Sequence, residues 1–79
     1  MPYHLAVDAP VTFHIYDVYG RLVRQLNLGI RQQGSYLGRN TAAYWDGTDQ
    51  LGQPVSSGLY FYMLSAGTFE ATRRMVILK

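Results

Sequence analysis

Few side chains in this sequence have the types and spacing that chemistry requires. The only imidazoles are His4 and His14, and neither stands in triad order with a serine nucleophile and a carboxylate. His14 reads as a solvent-facing strand residue rather than a general base. Asp17, Asp46 and Asp49 are the candidates for a calcium site, because a hard cation takes several oxygen ligands from a turn. Their spacing is not that of an EF-hand loop, and carboxylates beside glycines more often shape turns. Neither a catalytic residue, a metal ligand set nor a cofactor site is therefore expected. Tyr16, Tyr19, Tyr36 and Tyr44 could stack on sugar rings, although aromatics are also good strand formers that cover a small core. Arg73, Arg74 and Lys79 remain as a recognition surface or, equally, as charges that protect an edge strand from aggregation.

The stretch that must position these groups runs over 45–62. It joins the only tryptophan, Trp45, to the aromatic run Tyr60-Phe61-Tyr62. Asp46-Gly47, Leu51-Gly52-Gln53-Pro54 and Ser56-Ser57-Gly58 lie between, and they supply positive φ, a φ fixed by proline and local acceptors. This predicts strand, tight excursion, strand, with Trp45 and Tyr60 largely buried and close together. Phe13, Ile15 and Tyr62 complete the predicted core.

Composition sets the outer limits. With 79 residues the chain reads as one domain over 1–79, small enough to bury only about 60% of its unfolded surface. It has no cysteine, so neither disulfides nor a Cys/His zinc site can support the fold. Seven Lys+Arg against five Asp+Glu, spread along the chain, give a formal +2 and no basic stripe. Nucleic acid is not implied. There is no apolar run long enough for a membrane span, and Met1-Pro2-Tyr3-His4 lacks the regions of a signal peptide.

In order, the chain reads as strands and turns without a convincing helix. Tyr3 to Val7 is a candidate strand. Val11 to Tyr16 alternates cleanly, with Val11, Phe13 and Ile15 on one face and Thr12, His14 and Tyr16 on the other. Asp17-Val18-Tyr19-Gly20 fits a type I turn. The returning strand, Arg21 to Leu28, puts Leu22, Leu26 and Leu28 on a face with Arg24, an imperfect pattern that predicts a bulge or an edge. Gly29 to Asn40 reads as a long loop with room for a short strand, and Thr41 to Trp45 as an extended run. Leu59 to Leu64 is apolar on both faces, as a central strand packed on each side would be. Phe69 to Leu78 returns as the last strand. The expectation is an all-β, immunoglobulin-like antiparallel sandwich of about seven short strands. In such a domain a tyrosine just inside a late strand, here Tyr60 after Gly58-Leu59, can return its hydroxyl to the backbone upstream.

Ile15-Tyr16-Asp17-Val18-Tyr19-Gly20-Arg21-Leu22-Val23-Arg24, Trp45-Asp46-Gly47, Gly52, Val55, Ser57-Gly58-Leu59-Tyr60-Phe61-Tyr62 and Arg73-Arg74-Met75-Val76-Ile77-Leu78-Lys79 form an ordered series. It resembles the C-terminal immunoglobulin-like domain of bacterial secreted proteins, a family that includes type IX secretion sorting domains and the similar domain of flagellar hook-capping proteins. The resemblance spans nearly the whole chain. It implies a non-catalytic module of a larger exported protein, secreted or at the cell surface. Gly58, Leu59 and Tyr60 would shape the corner, while Arg73, Arg74 and Lys79 would contact the outer-membrane secretion machinery that carries the N-terminal passenger domains. The alternative it implies is a purely structural module, as in a hook cap; a carbohydrate-binding module is the third class. Two departures stand out: no Asn-Pro-rich segment precedes Tyr3, and the stretch from Gly29 to Ala42 is longer and more polar than in many sorting domains.

Overall fold

A computed structural model describes residues 1, 3–37 and 45–78, in which strands alternate with tight turns. The strands are β1 (Tyr3–Leu5), β2 (Ala9–Tyr16), β3 (Leu22–Arg31), β4 (Gly34–Tyr36), β5 (Gly58–Ala66) and β6 (Phe69–Ile77). A four-stranded antiparallel sheet has the order β3-β2-β5-β6, and β1 pairs with β4 in a second, two-stranded antiparallel sheet. The two layers make a sandwich.

The alternation in β2 dictates how they meet. Val11, Phe13 and Ile15 are almost fully enclosed, whereas Thr12, His14 and Tyr16 are half-buried on the outer face. Tyr3 and Leu5 from the small sheet pack with Ala9, Val11, Phe13, Leu64 and Ala66 from the large one. The Tyr3 ring meets Phe13 edge-on at 5.5 Å and stacks on Tyr36 at 4.7 Å. Burying one such side chain contributes roughly 1.5–3 kcal/mol, so this single cluster is the main cohesive term of a chain without cross-links.

Several expectations need correction. Six strands form among the described residues rather than about seven. Most of the expected run Thr41 to Trp45 lies outside the described residues, and Trp45 itself is outside any strand. Its indole Nε1 instead donates to the Thr48 carbonyl at 2.8 Å, folding the ring back over its own turn. The first strand stops at Leu5, where its pairing with β4 ends at Gly34. The stretch expected as a loop from Gly29 is ladder as far as Arg31, because β2 begins earlier, at Ala9, and gives it partners.

The bulge expected in β3 occurs twice, with register shifts between Val11 and Thr12 and between Ile15 and Tyr16. The second has a consequence for the leucines. Leu26 lies opposite Phe13 on the core face, but Leu22 lies opposite Tyr16 on the outer face and is 52% exposed. One extra residue reverses the sides of everything beyond it, so Leu22 does not share a face with Leu26 and Arg24.

β5 is central, as its composition suggests, between β2 and β6. Its two apolar faces are not equivalent, however. Tyr60, Leu64 and Ala66 are buried on one face with the half-buried Tyr62, whereas Leu59, Phe61 and Met63 alternate with them on the other. Packing on each side is thus corrected to packing on one side, with neighbouring strands shielding the other.

Candidate recognition surface

The excursion between the two longest aromatic stretches is built on side-chain oxygens. Asp46 Oδ1 accepts from the Thr48 amide at 3.1 Å and the Thr48 hydroxyl at 2.5 Å. Asp49 Oδ1 accepts from the amides of Leu51 and Gln53 at 3.0 and 2.9 Å. Each carboxylate thus gives its Oδ1 to the turn. The hydroxyl of Thr48 foremost, with its amide, holds the Asp46 carboxyl below its ordinary pKa. Among the described residues no cluster of three His, Cys, Asp or Glu side chains is disposed to hold a metal ion. Turn formation accounts for the geometry of these aspartates.

Trp45 and Tyr60 meet edge-to-face with centroids 5.5 Å apart. Tyr60 is buried and Trp45 half-buried. The Tyr60 hydroxyl donates to the Ser56 carbonyl at 2.7 Å, closing the corner that leads into β5. Gly58, at φ +149°, takes a backbone conformation that a side chain would strain. Corner and excursion are therefore one unit, clamped between an indole and a phenol.

Sequence reasoning missed the residue that fastens this unit to the sheet. Arg24, on the core face of β3, donates through Nη1 to Thr48 Oγ1 at 3.0 Å and to the Asp49 carbonyl at 2.8 Å. Gln50 adds two bonds: its amide donates to the Val23 carbonyl at 3.1 Å, and its Oε1 accepts from the Gln25 amide at 3.0 Å. The signal available in the sequence was an arginine at an otherwise apolar position of a strand, which must find acceptors when buried.

The hairpin between β2 and β3 is closed in a similar way. Asp17 Oδ1 accepts from the Tyr19 and Arg21 amides at 2.9 and 3.0 Å, and Oδ2 from Arg21 Nε at 2.9 Å. Desolvation pushes the Asp17 carboxyl up, but the Arg21 backbone and side chain and the Tyr19 amide outweigh it, and its pKa is lowered.

The remaining candidates are dispersed. Tyr16 stands on the outer face beside His14, with ring centroids 6.4 Å apart, and His14 is half-buried there with Nδ1 sealed and unpaired. Tyr19 is 80% exposed at the hairpin tip, with the Arg21 guanidinium 5.3 Å from its ring centre. Tyr36 belongs to the small sheet and covers Tyr3. These three rings do not make one sugar-stacking platform, and Tyr44 lies outside the described residues. Arg73 sits opposite Tyr62, and Arg74 opposite Phe61, so the two arginines project from opposite faces of β6. Both are exposed, and Lys79 lies outside the described residues. Leu59 and Tyr60 pair with Val76 and Met75, which puts the corner directly beside the basic pair along the same hairpin.

Two antiparallel sheets, a late-strand tyrosine returning its hydroxyl to the backbone, and an aromatic pair over the corner define an immunoglobulin-like sandwich. The model of the FlgD Ig-like domain matches residues 3–69, and the chain belongs to that family. Among solved structures it is similar to FlgD from P. aeruginosa, with 26% identity and a TM-score of 0.74 over 95% of this chain. The chain spans 55% of the length of that protein. No curated protein matches it.

Proposed function

We propose that the chain is a non-catalytic, structural immunoglobulin-like module of an exported assembly of the flagellar hook-cap kind. The family match over residues 3–69 is the observation that carries this reading. The geometry agrees with it, because the polar groups best placed for chemistry are consumed in holding turns. Such a module works by presenting rigid strand edges and hairpin tips to neighbouring subunits. The sorting role through the type IX route, with Arg73, Arg74 and Lys79 meeting the secretion machinery, has no counterpart in either likeness. The structural role is the better supported of the two.

The test is a domain exchange. Residues 1–79 replace the matching part of P. aeruginosa FlgD, and hook assembly and swimming are compared with the intact protein and with a deletion of that part. Recovery above the deletion supports the structural reading. A folded chimera no better than the deletion, together with surface delivery of a reporter fused to residues 1–79 in a type IX host, would reverse the order of the two.

A further inference from the structure

We infer that β6 is a self-recognition edge, on which a second copy of this chain docks antiparallel with Thr72 at the two-fold axis. Among the described residues β6 hydrogen-bonds only to β5, in an unbroken register from Gly58–Ile77 to Ala66–Phe69. Its other side presents a straight row of backbone donors and acceptors, which water solvates in the monomer and which another extended chain can pair with in register. No bulge twists this edge away. A regular edge of nine residues is a template for pairing, and the charges it carries, Glu70, Arg73 and Arg74, restrict which partner can pair with it.

The side chains choose the partner and its register. Glu70, Thr72, Arg74 and Val76 share the outer face, because they lie opposite Ser65, Met63, Phe61 and Leu59. Phe69, Ala71, Arg73, Met75 and Ile77 share the other. In an antiparallel pair, residues directly opposite one another point to the same face. Two copies of β6 related by a two-fold can therefore meet only in registers that match outer-face residues with outer-face residues. With Arg73 or Arg74 on the axis, like charges face each other, and with Glu70 on the axis two carboxylates do. With Ala71 or Met75 on the axis no ion pair forms. With Thr72 on the axis, Glu70 of each copy faces Arg74 of the other, twice over, and two threonines meet at the centre. On the opposite face Phe69, which is 56% exposed, then lies against Met75 of the second copy.

Charge bookkeeping within one chain points the same way. Asp17, Asp46 and Asp49 accept hydrogen bonds within their own turns, and Asp8 accepts from the Gln33 amide between β3 and β4, so none of the four aspartates is bonded to β6. Arg74 has no carboxylate partner among the described residues, and Arg73 donates only to the neighbouring Thr72 carbonyl. The pairing joins two four-stranded sheets into one continuous sheet across the axis. Because it rests on one strand from each copy, the interface is small and the dimer weak and concentration-dependent.

Sedimentation velocity of the full chain over a rising concentration series at low salt tests the assignment. The wild type is expected to shift from monomer to dimer, and Arg74→Glu or Glu70→Arg to move that transition to at least about tenfold higher concentration, since each places two like-charge pairs across the strands. The double exchange Glu70→Arg with Arg74→Glu restores it. Thr72→Cys provides the second readout: opposed Cα atoms about 5.5 Å apart are within disulfide reach, so oxidation cross-links the dimer through the axis. A wild type that stays monomeric throughout the series overturns the inference. So does dimerisation insensitive to either single charge reversal, or a Thr72→Cys protein that dimerises without cross-linking.

Discussion

The large sheet ends in two edges that are finished in opposite ways. At β3 the register shifts twice, and the excursion over 45–55 lies alongside, with Arg24 holding Thr48 and Asp49 and Gln50 bonded to Val23 and Gln25. At β6 the ladder runs straight for nine pairs, and the outer side is bare among the described residues. Bulges and a covering loop are both ways to close an edge against pairing. Their concentration on one side of the sheet teaches that the fold spends its irregular structure sealing β3 and leaves β6 as the surface available to neighbours.

The closed edge should therefore be where substitutions cost stability. Trp45 joins the excursion to Tyr60, and replacing it with Ala removes a half-buried ring and a hydrogen bond to Thr48, an expected loss of about 3 kcal/mol. In a domain of marginal stability that lowers the melting temperature by many degrees. An unchanged melting temperature would mean that the excursion is not fastened through its indole. Arg24→Ala comes next, at about 2 kcal/mol, since it leaves Thr48 Oγ1 and the Asp49 carbonyl without their charged donor. Hydrogen exchange at Gln25 should accelerate with it, because the Gln50 side chain is carried by the same excursion. Arg74→Ala, on the open edge, is expected to stay within about 0.5 kcal/mol of wild type. Equal costs at Arg24 and Arg74 would dissolve the contrast between the edges.

Between these two kinds of site stands Tyr60→Phe, which keeps the ring against Trp45 and deletes only the hydroxyl on the Ser56 carbonyl. The loss should be about 1 kcal/mol, read from chemical denaturation. A neutral result would show that burial of the ring alone fixes the corner.

What the sequence disclosed follows from which interactions are local. The alternation of Val11, Phe13 and Ile15 declared a buried face, and Asp17 with Gly20, or Gly58 with Tyr60, declared turns whose partners lie within four residues. The likeness to the hook-cap immunoglobulin-like domain was legible for the same reason, because many of its motifs are corners and turns, whereas the sorting role placed first by that resemblance has no counterpart in the family match over residues 3–69. Strand ends were less legible, since Gly29 and Gly34 belong to strands only because distant partners accept them. The role of Arg24 depends on residues 24 and 25 positions away, Thr48 and Asp49, which no local pattern reveals. The difference between two edges was invisible for a related reason. Arg73-Arg74 suggests an edge, but whether that edge is straight or bulged is decided by how β5 registers against it.

Acid should distinguish the edges with the smallest effect of all. Asp17 and Asp46 both have lowered pKa values, and both serve turns on the β3 side, at the β2–β3 hairpin and in the excursion. The turn between Ala66 and Phe69, which leads into β6, contains no carboxylate. A group whose folded pKa lies below its unfolded value of 3.8 contributes its stability in full above that value. As pH falls through the folded value the unfolded chain has already bound its proton, and the contribution is lost. The melting temperature should therefore be nearly flat from pH 7 to about 5 and decline below about 4, with Asp17→Asn reducing that decline. In the same window, amides of β3 should lose hydrogen-exchange protection before those of β6. Acid loosening that begins at β6, or a decline that Asp17→Asn leaves untouched, would place the pH-sensitive contacts elsewhere and remove the carboxylates from the account of how the β3 edge is kept shut.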